Sequence, residues 1–185
     1  MKKLSVIMLT MLLFSAPAFS KDKEINIKFS LDPISSLSLK SKTGQQDKNV
    51  DFGITVAAEY LMKVYYNFLR AGAGVEFVTP RVVKYSGEDL RFCYLPLYFT
   101  VKTNPIPMNE ELFFKGNIGM NVYSDANEDA MRDKKGNLYW ALSLGYEYRS
   151  GFIVDISYSS YSSLSSTVDL TYNKLGVDIG YKFNI

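Results

Sequence analysis

The chain has 185 residues, 21 Lys and Arg against 19 Asp and Glu, one cysteine and no histidine. Near-balance excludes the basic excess of a nucleic-acid binder, the lone Cys93 excludes an intramolecular disulfide, and the missing imidazole removes the commonest general base. Past residue 20 no apolar run approaches the ~20 residues of a membrane helix.

The first element is a leader. Met1-Lys2-Lys3 is positive, "LSVIMLTMLLF" is apolar, and Ala18 and Ser20 stand at the −3 and −1 positions of a cleavage site. Residues 1–20 therefore read as a removed secretory signal peptide, leaving 21–185 as one domain. No cysteine follows the apolar core, which excludes a lipid-modified N-terminal Cys. The leader holds two lysines and no acid, so the remainder balances at 19 of each sign.

Eight segments then alternate with period two, the signature of a strand with one apolar face. "EINIKFSLD" sets Ile25, Ile27, Phe29 and Leu31 against Asn26, Lys28, Ser30 and Asp32. The pattern repeats in "VDFGITVAAEY", "LRAGAGVEF", "CYLPLYFTVK", "FFKGNIGMNVY", "LYWALSLGYEY", "FIVDISYS" and the closing "KLGVDIGYKFNI". Strands of nine to eleven residues suit a tilted membrane crossing. Direct connections imply antiparallel pairing. Pro96 lacks a donor and predicts a bulge in the fourth strand.

The connections alternate too. "PISSLSLKSKTGQQDKN", "TPRVVKYSGEDLR", "SDANEDAMRDKKGN" and "SSYSSLSSTVDLTYN" read as long polar loops on one side. "LMKVYYNF", "TNPIPMNEEL" and "RSG" read as shorter turns on the other, the periplasmic side, with both termini. "DANED" places Asp125, Asn127 and Asp129 as at the start of a calcium loop, but Ala130 and Gly136 break that pattern. No metal or cofactor is expected.

Which face points inward is decided by the polar one. It is rich in glycine and small residues (Gly53, Gly72, Gly74, Gly119, Gly145, Gly176, Gly180). Glycine weakens an exposed strand but fits a narrow lumen. The apolar face carries Tyr60, Phe77, Tyr146, Tyr148, Phe152, Tyr158, Tyr181 and Phe183 near its ends, as aromatic girdles do. The fold expected is all-β, an eight-stranded antiparallel up-and-down transmembrane β-barrel. Its parity turns Lys28, Asp51, Glu59, Arg70, Glu76, Lys102, Lys115, Glu147, Asp155, Lys174, Asp178 and Lys182 inward. That balanced set suggests a packed lumen of ion pairs rather than a selective pore.

"YLPLYFTVK", "ALSLGYEYRSGFIVDISY" and the terminal "LGVDIGYKF" together resemble the small outer-membrane β-barrel family of the OmpA/OmpX and opacity-protein type, across residues 24–185. The resemblance implies residence in a Gram-negative-type outer membrane. It also implies contact with lipid and lipopolysaccharide, and assembly by the barrel-assembly machinery with periplasmic chaperones. The terminal assembly signal would lie at Leu175, Val177, Ile179, Gly180, Tyr181 and Phe183, although Asn184-Ile185 extend past the usual terminal aromatic.

The function expected is non-enzymatic: an envelope-structural or surface-interaction (adhesin-like) role through the outer loops, with a host or envelope partner there. Lys40, Lys42, Lys48, Arg81, Lys84 and Arg91 are candidate contacts for lipopolysaccharide phosphates or an acidic partner. A narrow channel for small molecules is the alternative. A lipid-modifying enzyme comes third, because Ser159, Ser160, Ser162, Ser163, Ser165 and Ser166 have no histidine to activate them.

Overall fold

A computed structural model describes residues 22–41, 44–65, 68–85, 88–105, 111–126, 134–135, 138–165 and 168–185. The leader and the calcium-like Asn127 and Asp129 lie outside these residues. Ten strands follow in chain order: β1 Lys23–Ser41, β2 Gly44–Val50, β3 Gly53–Tyr65, β4 Leu69–Tyr85, β5 Glu88–Thr103, β6 Leu112–Ala126, β7 Lys134–Lys135, β8 Leu138–Glu147, β9 Phe152–Ser165 and β10 Val168–Asn184. They build the eight staves of a closed antiparallel barrel. β2 and β3 form one stave broken at residues 51–52, β7 is a short outlier on β9, and β10 closes the wall by pairing with both β9 and β1.

The apolar residues of each alternating segment face outward. Phe29, Ile54, Phe77, Leu97, Ile118, Leu142, Ile156 and Ile179 are each at least two-fifths exposed. No water-soluble barrel would leave such a belt bare, so the wall is a membrane-spanning one. On β1 the belt runs from Ile25 to Ile34. Nine steps of ~3.3 Å tilted by about 40° cover about 23 Å, close to the ~25 Å apolar band of membrane barrels. Ring pairs mark its end near the termini, with Tyr146 4.9 Å from Tyr148 and Tyr181 4.9 Å from Phe183.

Most strands are longer than the nine to eleven residues read from the sequence. β1 has 19 residues and β4 and β10 have 17. The excess comes from segments read as loops. Ser35–Ser41 pairs with β2 on one side and β10 on the other, and Arg81–Tyr85 pairs with Glu88–Phe92. Ser159–Ser163, read as loop serines, stand in β9 opposite Leu170–Lys174.

Beyond the belt the closed wall divides. Strand pairing between β3 and β4 ends at Thr55↔Val78, and between β6 and β8 at Met120↔Leu138. Past those points, among the described residues, β2–β1–β10–β9–β7 form one sheet and β4–β5–β6 another. Between them sits an apolar core that includes Leu37, Leu39, Val50, Val83, Leu90, Phe92, Tyr94 and Tyr172.

Three irregularities make this possible. Register shifts lie between Leu31 and Ile34 on β1 and between Val78 and Arg81 on β4, and residues 51–52 interrupt the second stave. Each inserts residues that flip strand parity. On the termini side Lys28, Asp32, Glu59 and Glu76 point inward; beyond the shifts Leu37, Leu39, Val50 and Val83 do so. A bulge does lie at Pro96, but not in its own strand as expected: Pro96↔Asn121 is followed by Leu95↔Tyr123, which leaves Val122 as the extra residue on the neighbouring β6.

Candidate functional site

The chemistry of the barrel is concentrated in its lumen, where buried charges stack in three layers. Nearest the termini, Arg70 lies 3.3 Å from Glu24 and 3.7 Å from Glu147. Lys102 lies 3.5 Å from Glu24 and pairs closely with Glu147, as does Lys182. In the middle layer Lys115 donates to Glu59 at 2.7 Å. Lys28 stands 3.4 Å from Glu59, 3.4 Å from Asp155 and 3.9 Å from Asp178.

The third layer joins Arg81 to Asp32 at 2.6 Å and Lys174 to both Asp32 (3.2 Å) and Glu76 (2.9 Å). Thr55 and Ser30 hydroxyls also donate to Asp32, at 2.7 and 2.8 Å. Tyr161 and Tyr139 donate to Glu76 at 2.5 and 2.8 Å. Seven cations thus face seven carboxylates. Desolvating a charge costs several kcal/mol unless partners compensate, and the lumen supplies them in every layer.

Small residues in the wall make room for these long side chains. A Cβ on Gly53 would stand 0.9 Å from the Arg81 guanidinium, and one on Gly74 would stand 2.5 Å from the Tyr98 ring. The result is a plug. No space for water remains among Asn26, Lys28, Glu59, Lys102, Phe113, Lys115 and Ile153. One level further along the axis the free space is ≈ 20 Å³. Above it the rings of Tyr98, Tyr139, Tyr161 and Tyr172 follow one another at 5.1, 5.0 and 5.5 Å.

Of the charges that sequence parity turned inward, the structure brings Lys28, Glu59, Glu76, Lys115, Asp155, Lys174 and Asp178 into the two inner layers, and Arg70, Lys102, Glu147 and Lys182 into the layer nearest the termini. Asp51 is corrected: it is exposed, in the break between β2 and β3 where parity flips. Arg81 is also corrected. It was read as a loop cation facing phosphates, yet it is buried in the lumen because the β4 bulge turns it inward. Glu24 and Asp32 were missed as members of the network, though both lie on the inward parity of Lys28. Tyr161 and Tyr172 were missed because their segment reads as a serine-rich loop. Lys40, Lys48, Lys84 and Arg91 are exposed, and Lys42 lies outside the described residues.

The residues read as an assembly signal lie in β10. Leu175, Val177, Ile179, Tyr181 and Phe183 face outward and Gly180 faces the lumen under Lys28. Asn184 continues the ladder opposite Glu24, and Ile185 donates its N–H to the Lys23 carbonyl at 3.0 Å.

No protein-family model and no curated protein matches the sequence. Among solved structures, neisserial surface protein A (NspA) aligns over 86% of this chain and 97% of its own, with 11% identity and a TM-score of 0.54. Ail, the attachment invasion locus protein of Yersinia pestis, aligns over 89% and 100% with 18% identity and a TM-score of 0.48. OprG from Pseudomonas aeruginosa aligns over 89% and 96% with 16% identity and a TM-score of 0.45. The likeness to NspA agrees with the fold read above: a small outer-membrane-type β-barrel.

Proposed function

We propose that this is a non-enzymatic integral protein of the outer membrane whose far end, standing clear of the lipid belt on the cell's outer side, interacts with other molecules. The observation that carries the reading is the division of the wall into two sheets with their own apolar core. A barrel needed only to cross lipid has no use for that extension. Its seven-residue outer strand β2 exposes Gln45, Gln46, Asp47, Lys48 and Asn49, and pairs on one edge only among the described residues. A strand edge and a polar hairpin of this kind suit contact with another macromolecule.

The filled lumen supports an interaction role over conduction, and the burial of Ser159, Ser160 and Ser163 in the wall supports it over serine-based catalysis. In this setting the lipid and lipopolysaccharide around the belt, the barrel-assembly machinery reading β10 and periplasmic chaperones are partners of biogenesis. The molecule met at the cap is the functional partner.

Residues 38–47 replaced by a two-residue turn should leave a barrel that still migrates differently unheated and boiled. Cell binding or envelope integrity should fall with that change. Unaltered binding and permeability in a folded, trimmed barrel would defeat the surface-interaction reading. Recovery of the protein in the soluble periplasmic fraction would defeat its placement.

A further inference from the structure

Glu59 is used asymmetrically. Its Oε1 receives the Lys115 ammonium at 2.7 Å and the Tyr98 hydroxyl at 3.2 Å, and lies 3.4 Å from Lys28. Its Oε2 is buried with no hydrogen-bond partner among the described residues, and so is Oδ1 of Asn117. Glu59 is 2% exposed and Asn117 8%. Buried polar atoms without a partner are exceptions that call for one. Both side chains line the same cavity on the barrel axis, to which all eight staves contribute.

Its free volume is ≈ 20 Å³. One water needs about 10–15 Å³ measured this way and two to four polar partners. We propose that the cavity is an internal hydration site for a single water. The water donates one O–H to Glu59 Oε2 and the other to Asn117 Oδ1. Its lone pairs are open to hydroxyls that line the cavity, those of Ser143 and Ser159. A metal cation would also satisfy two bare acceptors, but the three carboxylates lining the cavity, Glu59, Glu76 and Asp178, are already matched by Lys28, Lys115 and Lys174, which leaves no net charge to hold one. Water is both donor and acceptor, and neutral. It ties the middle ion layer to Asn117 and so completes the plug.

The test is a crystal structure of the full barrel, at about 2 Å or better to place ordered water, grown from rubidium-containing solution. The expected result is one peak without anomalous signal, within hydrogen-bond distance of both Glu59 Oε2 and Asn117 Oδ1. Asn117→Leu, which removes one acceptor and fills the space, should abolish it. If that variant does not fold, Ala141→Leu fills the same cavity from β8 and should expel the peak likewise. An anomalous rubidium peak would overturn the proposal in favour of a cation site. A dry cavity would overturn it too, with Glu59 Oε2 and Asn117 paired to protein donors, as would a peak that survives in a filled cavity.

Discussion

Asp32 is the most heavily committed carboxylate of the lumen. It is fully buried and receives Arg81 at 2.6 Å, Lys174 at 3.2 Å, Thr55 at 2.7 Å and Ser30 at 2.8 Å. Asp32→Asn keeps the volume and removes the charge. Lys174 retains Glu76 at 2.9 Å, but Arg81 keeps no carboxylate within ion-pair distance among the described residues, only the Ile54 carbonyl at 3.3 Å. Stranding one partner of a buried pair costs about 3–5 kcal/mol, and each 1.36 kcal/mol is a factor of ten in the unfolding constant. Unfolding in urea from phospholipid vesicles measures it. The single Trp140, on the outer wall 5.5 Å from Tyr158, supplies the fluorescence signal. Arg81→Met in the Asp32→Asn background should recover about 2 kcal/mol or more, since replacing a buried pair with apolar groups is often neutral. A single-variant loss below about 1 kcal/mol, or two changes that add within ~0.5 kcal/mol, would refute the claim that Asp32 holds the third layer together.

Other outcomes follow from the same geometry. Gly74→Leu drives a side chain into the Tyr98 ring and should cost about 1–3 kcal/mol, whereas Gly116→Leu, with only Leu142 Cδ2 near at 3.8 Å, should stay within ~0.5 kcal/mol in the same assay. Tyr161→Phe removes a donor to Glu76 and should cost about 1.5–3 kcal/mol; Tyr172→Phe, whose hydroxyl has no partner among the described residues, should cost less than Tyr161→Phe. At the termini end the Lys63 ammonium, 2.8 Å away, holds the Asp22 carboxyl below its ordinary 3.8. Its contribution is therefore present above that value and lost as pH falls through the lowered one; a carboxyl-carbon NMR titration should place its midpoint below 3.8, and Asp22→Asn should lack this acid-side loss. In planar bilayers the barrel should show no steady open state, and a stable selective conductance would contradict the filled lumen.

The lipid belt was legible because its alternation runs unbroken where it matters. Leu175, Val177, Ile179, Tyr181 and Phe183 keep one phase from end to end of the crossing, and bilayer contact forces that phase on every stave. Pro96 announced a bulge, since a closed wall has no edge to absorb a missing donor, but not that the neighbouring β6 would carry it. The cap was not legible. In "PISSLSLKSK" Leu37 and Leu39 keep the odd positions of Ile25–Leu31, but the bulge turns those positions from the outside to the inside; with serines and lysines around them, the segment reads as a polar loop. Asp51 was misplaced by the same kind of phase change at the break between β2 and β3, and Arg81 because its segment, past the β4 bulge, reads as a loop. Which charge meets which was also beyond the sequence, because Lys174 reaches Asp32 and Glu76 across the lumen, over separations that no local pattern encodes.

The register shift at Asp32-Pro33 has a hereditary consequence. Below it the chain is answerable to lipid, and above it to water, so identical substitutions carry opposite meanings a few residues apart. A leucine is welcome outside at residue 31 and inside at residue 37. Without that bulge, an unbroken alternation through Pro33 would carry one rule along the rest of β1, presenting Leu37 and Leu39 to the outside and Ser36 and Ser38 to the core. The bulge thus works as a hinge of grammar between two dialects, and point mutations on either side of it can accumulate without disturbing the other.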